Sequence, residues 1–294
     1  MPTSQRLAAA WVAAVALAAC TSEAAAPPAA CPASPFRSVP PLVIAHAGGE
    51  GLGPANTILA MQRSMAAGAD LLDADLWMTS DGVVVARHDR DLATTTDGQG
   101  NIDDRTWADL QVLDTRARWT GEAIGQPVRI PSLEQILLAF PDVRISLEIK
   151  QSEPSIAAAL CETLVRTGSV ERVYLSANDD SAVYEAQRRC PESTIITTTY
   201  RDVGAMREAK ETNGAWCAPA PIGQPPYAEG RFGVDDVRWS HDHGMAIYTW
   251  TVDDPDTLRE LALAGVDGVY TRRPDIARQV FDEVAAAGSP STSP

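Results

Sequence analysis

The sequence predicts an α/β fold: a (β/α)8 TIM barrel with an antiparallel hairpin after the second strand and an inserted loop-rich subdomain. Three observations carry that expectation. From Leu42 onward, short β-branched runs alternate with longer stretches of helical period, the pattern of repeated βα units. Eight such runs fit the alternation, the number that closes a barrel of this type. One further run, Val83–Ala86, follows the second strand after only Thr79-Ser80-Asp81-Gly82. A parallel crossover needs about a dozen residues, so this run must return antiparallel.

In chain order the expected barrel strands are Leu42–His46, Ala69–Trp77, Arg144–Ile149, Arg172–Ser176, Thr194–Thr198, Ala215–Ala218, Met245–Trp250 and Val266–Tyr270. Helical stretches are expected between them at Thr57–Ala67, Pro154–Thr167, Ser181–Arg189 and Pro255–Ala264. Residues 90–131 keep neither period and contain Trp107, Trp119 and several glycines. A structureless stretch of that length in a compact domain is usually a lid or binding loop, so it is expected as an insertion over the barrel mouth. The barrel domain is therefore expected over 42–284, with 285–294 as a disordered tail.

The amino terminus reads differently. Arg6 precedes an apolar run from Leu7 to Ala19, too short to span a bilayer and typical of a signal-peptide core, so 1–19 is expected as a signal peptide. It ends in Leu17-Ala18-Ala19-Cys20, which resembles the lipobox of bacterial lipoproteins. That resemblance implies cleavage before Cys20, acylation of its thiol, and an extracytoplasmic protein lipid-anchored to the outer face of the bacterial cell membrane. Residues 20–41, rich in Ala and Pro, then form a lipidated tether. Four cysteines remain, Cys31, Cys161, Cys190 and Cys217. An oxidising compartment permits disulfides, and the three possible pairings stay open.

Charge narrows the partners. The balance of 24 basic against 39 acidic residues argues against nucleic acid, which needs clustered Lys and Arg. Lysine is scarce: Lys150 and Lys210 are the only two.

Asp73 and Asp75 are spaced i, i+2 on an expected strand, so both point to one face, and Glu148 and Lys150 repeat that spacing on another. A charge facing a barrel interior is costly unless paired or metal-bound. Three carboxylates converging on one mouth form an oxygen-only set suited to a divalent cation, Ca2+ or Mg2+. A salt-bridge network in which Lys150 neutralises the acids is the alternative. His46 and His88 both fall at strand ends, and two imidazoles near such carboxylates fit general acid and base catalysis. Simple pairing about the Thr79–Gly82 turn brings His88 opposite Asp73 and beside Asp75. His241 and His243 lie on an expected helix and read as surface residues.

Together these pieces resemble the glycerophosphodiester phosphodiesterase family from about Leu42 to Arg278. The matches are Ile44-Ala45-His46-Ala47-Gly48-Gly49, Gly68-Ala69-Asp70 leading into Asp73-Ala74-Asp75, and Asp81-Gly82 before Val85-Ala86-Arg87-His88-Asp89. They continue with Thr94-Thr95-Thr96-Asp97-Gly98, Ile130-Pro131-Ser132-Leu133-Glu134, Leu147-Glu148-Ile149-Lys150, Trp250-Thr251-Val252 and Gly265-Val266-Asp267-Gly268. The resemblance implies a phospholipase-C-like barrel that hydrolyses small-molecule phosphodiesters with a bound divalent cation. It places the metal on Asp73, Asp75 and Glu148 and the acid–base pair on His46 and His88. It puts a phosphate contact on Lys150 and an aromatic of the substrate mouth on Trp250.

Three departures stand against the pattern. Ala47 occupies the place of an Arg that contacts phosphate, Ala55 replaces the acid of Pro-Glu-Asn-Thr, and Asp73 replaces a longer Glu. Loss of a bidentate donor weakens a charge-assisted contact. Arg272, where the family often has Asp, is expected to concern local pairing. Hydrolysis of glycerophosphodiesters is thus the leading expectation. The alternatives are the same chemistry on intact phospholipid or wall polymer, and a non-catalytic surface-binding lipoprotein on the same barrel.

Overall fold

The structure is a computed structural model that describes residues 30–195, 200–212, 216–227 and 233–288. The expected signal peptide, Cys20 and most of the tether lie outside the described residues.

The strands are β1 (Leu42–Ala45), β2 (Leu71–Met78), β3 (Val84–Ala86), β4 (Arg144–Ile149), β5 (Val173–Ala177), β6 (Thr194–Ile195), β7 (Ile222–Gly223), β8 (Ala246–Thr249) and β9 (Gly268–Thr271). They form one sheet in the order β6-β5-β4-β2-β1-β9-β8-β7, parallel throughout, with β3 antiparallel on β2. The helices are α1 (Ile58–Ala66), α2 (Trp107–Leu110), α3 (Leu133–Ala139), α4 (Ala157–Arg166), α5 (Asp180–Arg189), α6 (Tyr200–Thr212), α7 (Val234–Asp242), α8 (Pro255–Ala264) and α9 (Pro274–Gly288). This is the βα order of a (β/α)8 barrel.

Strand parity builds the layers. Val43 and Ala45, Leu72, Ala74 and Leu76, and Ile145 and Leu147 point outward into the main apolar cluster shared with the helices. Their alternates point inward: Ile44, Leu71, Tyr248 and Tyr270 fill the lower barrel, while Asp73, Asp75, Ser146 and Glu148 lie on the same inner face farther along the chain direction. Local signals fix the helix ends. Asp254 accepts from Thr257 N at 2.8 Å, Pro255 opens α8, and Gly265 closes it at φ 85°.

Several expectations are corrected. The sixth expected barrel strand, Ala215–Ala218, is not where the sheet continues: that strand is β7 at Ile222–Gly223. Ala215 lies outside the described residues, and Trp216–Ala218 is irregular chain held by the Cys31–Cys217 disulfide. The second disulfide joins Cys161 to Cys190 across α4 and the end of α5. His241 is not a surface residue: its side chain is 10% exposed, with Nε2 2.7 Å from Asp267 Oδ2. His243 stacks on Trp239 at 3.8 Å. Helix α9 continues to Gly288, over the first residues of the segment expected as a tail. The 90–131 segment is built from short turns, and its apolar residues Leu92, Ile102, Leu110 and Ile130 gather on Val85 and Trp77 of the β2–β3 pair.

Candidate active site

The site forms where the inner faces of β2 and β4 approach their carboxyl ends. The register pairs Asp75 with Glu148 and Asp73 with Ser146, so the two acidic rows stand side by side. Lys150 follows β4 and turns its ammonium onto both strands, 3.1 Å from Asp75 Oδ1 and 2.8 Å from Glu148 Oε1. Burial works against that charge, but Asp75 and Glu148 outweigh it and raise the lysine pKa. Asn56 reads Asp75 twice: its Nδ2 donates to Oδ2 at 2.8 Å, and its Oδ1 accepts from Asp75 N at 3.0 Å. Asn178, just past β5, donates to Glu148 Oε1 at 3.2 Å. Beneath them, Tyr270 Oη and Ser146 Oγ lie 3.0 Å apart.

Asp73 is served less well. Among the described residues, only the Ala47 backbone N–H donates to it, at 3.0 Å. Burial first, and the charge of Asp75 second, push its pKa up to about 7. Ala47 reaches that position from a left-handed backbone at φ 47° and ψ 38°.

His46 begins the turn after β1, with Nδ1 3.2 Å from Glu50 Oε1. Burial lowers its pKa, but the Glu50 hydrogen bond and the charges of Asp73, Glu50 and Asp75 overcome that and raise it to about 8. His88 is placed otherwise than the simple pairing suggested. The turn after β2 takes Val83 as well, so Met78 pairs with Val84, and it is Arg87 whose N–H donates to Asp75 O. The His88 side chain is 54% exposed, with Nδ1 3.0 Å from Asp89 Oδ1. Trp250 is exposed at the end of β8, with Nε1 donating to Gln224 O. Arg272 pairs with Asp253, whose carboxylate also accepts from Arg272 N.

The salt-bridge alternative therefore describes part of what is present, since Lys150 bridges Asp75 and Glu148. Among the described residues no three His, Cys, Asp or Glu groups stand in metal-holding geometry. The donor chemistry still fits a hard cation. Two of the three carboxylates share the Lys150 ammonium, while burial first and the charge of Asp75 second raise the pKa of Asp73. Glu50, Asn56 and Asn178 were not singled out from sequence. Asn178 follows a strand end, as the other site residues do, and that position was the available signal.

The profile of the glycerophosphoryl diester phosphodiesterase family matches residues 46–276. A glycerophosphodiester phosphodiesterase from Caldanaerobacter subterraneus is 27% identical over 241 residues, covering 80% of this chain and 95% of the relative. Among solved structures, the glycerophosphoryl diester phosphodiesterase domain of a Mycobacterium tuberculosis protein superposes with a TM-score of 0.68 at 26% identity, covering 81% of this chain and 98% of the other. A glycerophosphodiester phosphodiesterase from Agrobacterium tumefaciens gives 0.68 at 22% identity, with 81% and 99% covered, and shows the same fold. The carboxylate–lysine cluster and both histidines fall inside the matched span, and the chain belongs to the glycerophosphoryl diester phosphodiesterase family.

Proposed function

We propose that the protein hydrolyses glycerophosphodiesters to an alcohol and glycerol phosphate, using a divalent cation and two histidines. The observation that carries this reading is the cluster of Asp73, Asp75, Glu148 and Lys150 on the inner faces of β2 and β4, with His46 near enough for the charges of Asp73 and Asp75 to act on it. Family membership and the names of the relatives support the reaction class.

Asp73, Asp75 and Glu148 would hold Ca2+ or Mg2+, which supplies charge neutralisation for a phosphoryl oxygen. With that cation bound, Asp75 and Glu148 would no longer need Lys150 for neutralisation, and Lys150 would be available to the phosphate. Asn56 and the Ala47 N–H fix the carboxylates they bond. Both imidazoles have a carboxylate at Nδ1, Glu50 for His46 and Asp89 for His88, so Nε2 of each remains for the substrate. One withdraws a proton from the attacking oxygen, either water or a neighbouring substrate hydroxyl whose cyclic phosphate water then opens, and the other donates one to the leaving oxygen. Trp250 lines the approach.

The purified protein with Ca2+ or Mg2+ should release glycerol phosphate from glycerophosphoethanolamine and stop when the cation is chelated. His46→Ala and His88→Ala should each lower kcat by about 10²–10⁴-fold. A wild-type protein inert on every glycerophosphodiester, with either metal, would remove this reading. Cys20 is proposed as the acylated residue that holds the protein on the outer membrane face.

A further inference from the structure

Arg87, one residue before His88, is a buried cation with no part in the chemistry given above. It follows β3 on the parity of Val85, which packs into the apolar cluster under the 90–131 segment, and it is 3% exposed. Its guanidinium is poorly served there. Nη2 donates to Thr94 Oγ1 at 3.3 Å and reaches Asp91 O at 3.5 Å, while Nε has no hydrogen-bond partner among the described residues. Burial lowers the Arg87 pKa to about 10, against the charges of Asp89 and Asp91. A dry guanidinium with an idle donor costs stability, so the fold alone would be served as well by an apolar side chain.

Thr94 carries the contact toward His88. With Arg87 on one of its lone pairs, the Thr94 hydroxyl donates onward, and its acceptors are Asp91 O at 2.8 Å and the Asp89 carboxylate. Asp89 Oδ1 in turn stands 3.0 Å from His88 Nδ1. Burial would raise the Asp89 pKa, but the His88 and Thr94 hydrogen bonds and the Arg87 charge lower it on balance, which keeps the acid an acceptor. The His88 backbone is fixed separately: Arg87 N donates to Asp75 O at 2.7 Å, and Trp77 Nε1 donates to His88 O at 3.0 Å. What these bonds leave free is the rotation of a half-exposed imidazole, which among the described residues is bonded by Asp89 alone.

We propose that Arg87 is a positioning residue: through Thr94 and Asp89 its guanidinium holds the His88 ring with Nδ1 on Asp89 and Nε2 toward the substrate. This deepens the hydrolytic reading given above and rests on it. The ring is also an observable apart from turnover, because the bond at Nδ1 sets which nitrogen carries the proton. A carboxylate braced by Arg87 and Thr94 selects the Nδ1–H form. Without the brace, the exposed ring turns and exchanges tautomers.

The test is Arg87→Met, which keeps the apolar stem and removes the charge and the donors. On glycerophosphoethanolamine its kcat should fall by about 10–100-fold, as when other outer partners of functional histidines are lost, with KM nearly unchanged. Arg87→Lys should recover part of that loss. In a His88→Ala background, Arg87→Met should leave the residual rate where it was. Nitrogen-15 histidine spectra at alkaline pH, where the ring is neutral, read the orientation directly. The His88 signals, assigned by their loss in His88→Ala, should show one Nδ1–H form in the wild type and a mixture in Arg87→Met. If Arg87→Met does not fold, Thr94→Val at an exposed position cuts the same link and should cost about 10-fold in kcat with the same mixed signals. A wild type inert on every glycerophosphodiester fails the hydrolytic reading by itself, and the spectra then decide whether Arg87 holds the ring. Wild-type kcat with an unchanged His88 tautomer overturns the proposal. An equal fall in rate with and without His88, or a change in KM alone, overturns it as well.

Discussion

Asp73, near the mouth, and Asp267, at the closed end, are both almost wholly buried, at 6% and 1% exposed, yet their surroundings differ. Asp267 accepts from Ile247 N at 2.8 Å and from Ser38 N at 3.2 Å, lies 2.7 Å from His241 Nε2, and has Arg37 within 3.8 Å. It joins the amino-terminal segment, α7 and β8 at one point. Asp73 has one backbone donor and faces a second carboxylate. A buried acid held for stability is surrounded by donors, whereas one left short of them is held for what it can bind.

The largest effects should separate these two acids. Asp267→Ala leaves buried donors unpaired and should cost roughly 3–5 kcal/mol in urea unfolding, with kcat of the folded fraction unchanged. If that variant does not fold, Asp267→Asn should show the same separation with a smaller loss. Asp73→Asn should do the reverse, abolishing metal-dependent turnover while stabilising the chelated protein. The pH dependence gives the sign. The folded pKa of Asp73 is raised from 3.8 to about 7, so the folded state favours the protonated form. The stability of the chelated wild type therefore falls, through this group, as pH rises across that window. The gain from Asp73→Asn should be present at pH 8 and absent near pH 4. A loss of stability in Asp73→Asn at pH 8 would break the comparison.

Glu50 offers a smaller and sharper test. It stands five residues before Ala55, where the family's acid is missing, and bonds His46 Nδ1 from the same turn. Glu50→Gln should lower kcat by about 10–100-fold, as outer partners of functional histidines do, with KM nearly unchanged. Glu50→Asp should recover part of it. A change in KM alone would mean that Glu50 meets substrate and does not position His46.

Strand parity made much of this legible in the sequence. The i, i+2 spacing of Asp73–Asp75 and Glu148–Lys150 placed all four on one inner face, because side-chain alternation does not depend on distant contacts. The His88 register was missed by one residue because turn length follows local bonding: Thr79 Oγ1 accepts from Val83 N and draws that residue into the turn. The Ala215–Ala218 strand was misread because a disulfide and a single bond from Ala218 N to His243 O hold that chain in place without a ladder. His241 reads as a surface residue in the sequence because its partner lies 26 positions away, beyond any helical period. The Lys150 bridge was visible only as an alternative, since spacing cannot choose between an ammonium and a metal.

The smallest expected effect is at Ala47, the non-glycine residue in a left-handed conformation beside Asp73. Three contributions compete in Ala47→Gly. Relief of the left-handed backbone stabilises by about 1–2 kcal/mol. The added freedom of the unfolded chain costs about 0.4–1 kcal/mol. Losing a methyl that is 2% exposed costs about 0.8 kcal/mol. The balance lies within about 0.8 kcal/mol of zero in urea unfolding, and kcat should hold, since the N–H to Asp73 is kept. The result sharpens the contrast between the two ends. A near-neutral change means the cost of the left-handed backbone cancels what the buried Ala47 methyl and the restricted unfolded chain contribute, with the bond to Asp73 kept. A loss above about 2 kcal/mol would instead make the turn part of the core, as the Asp267 junction is.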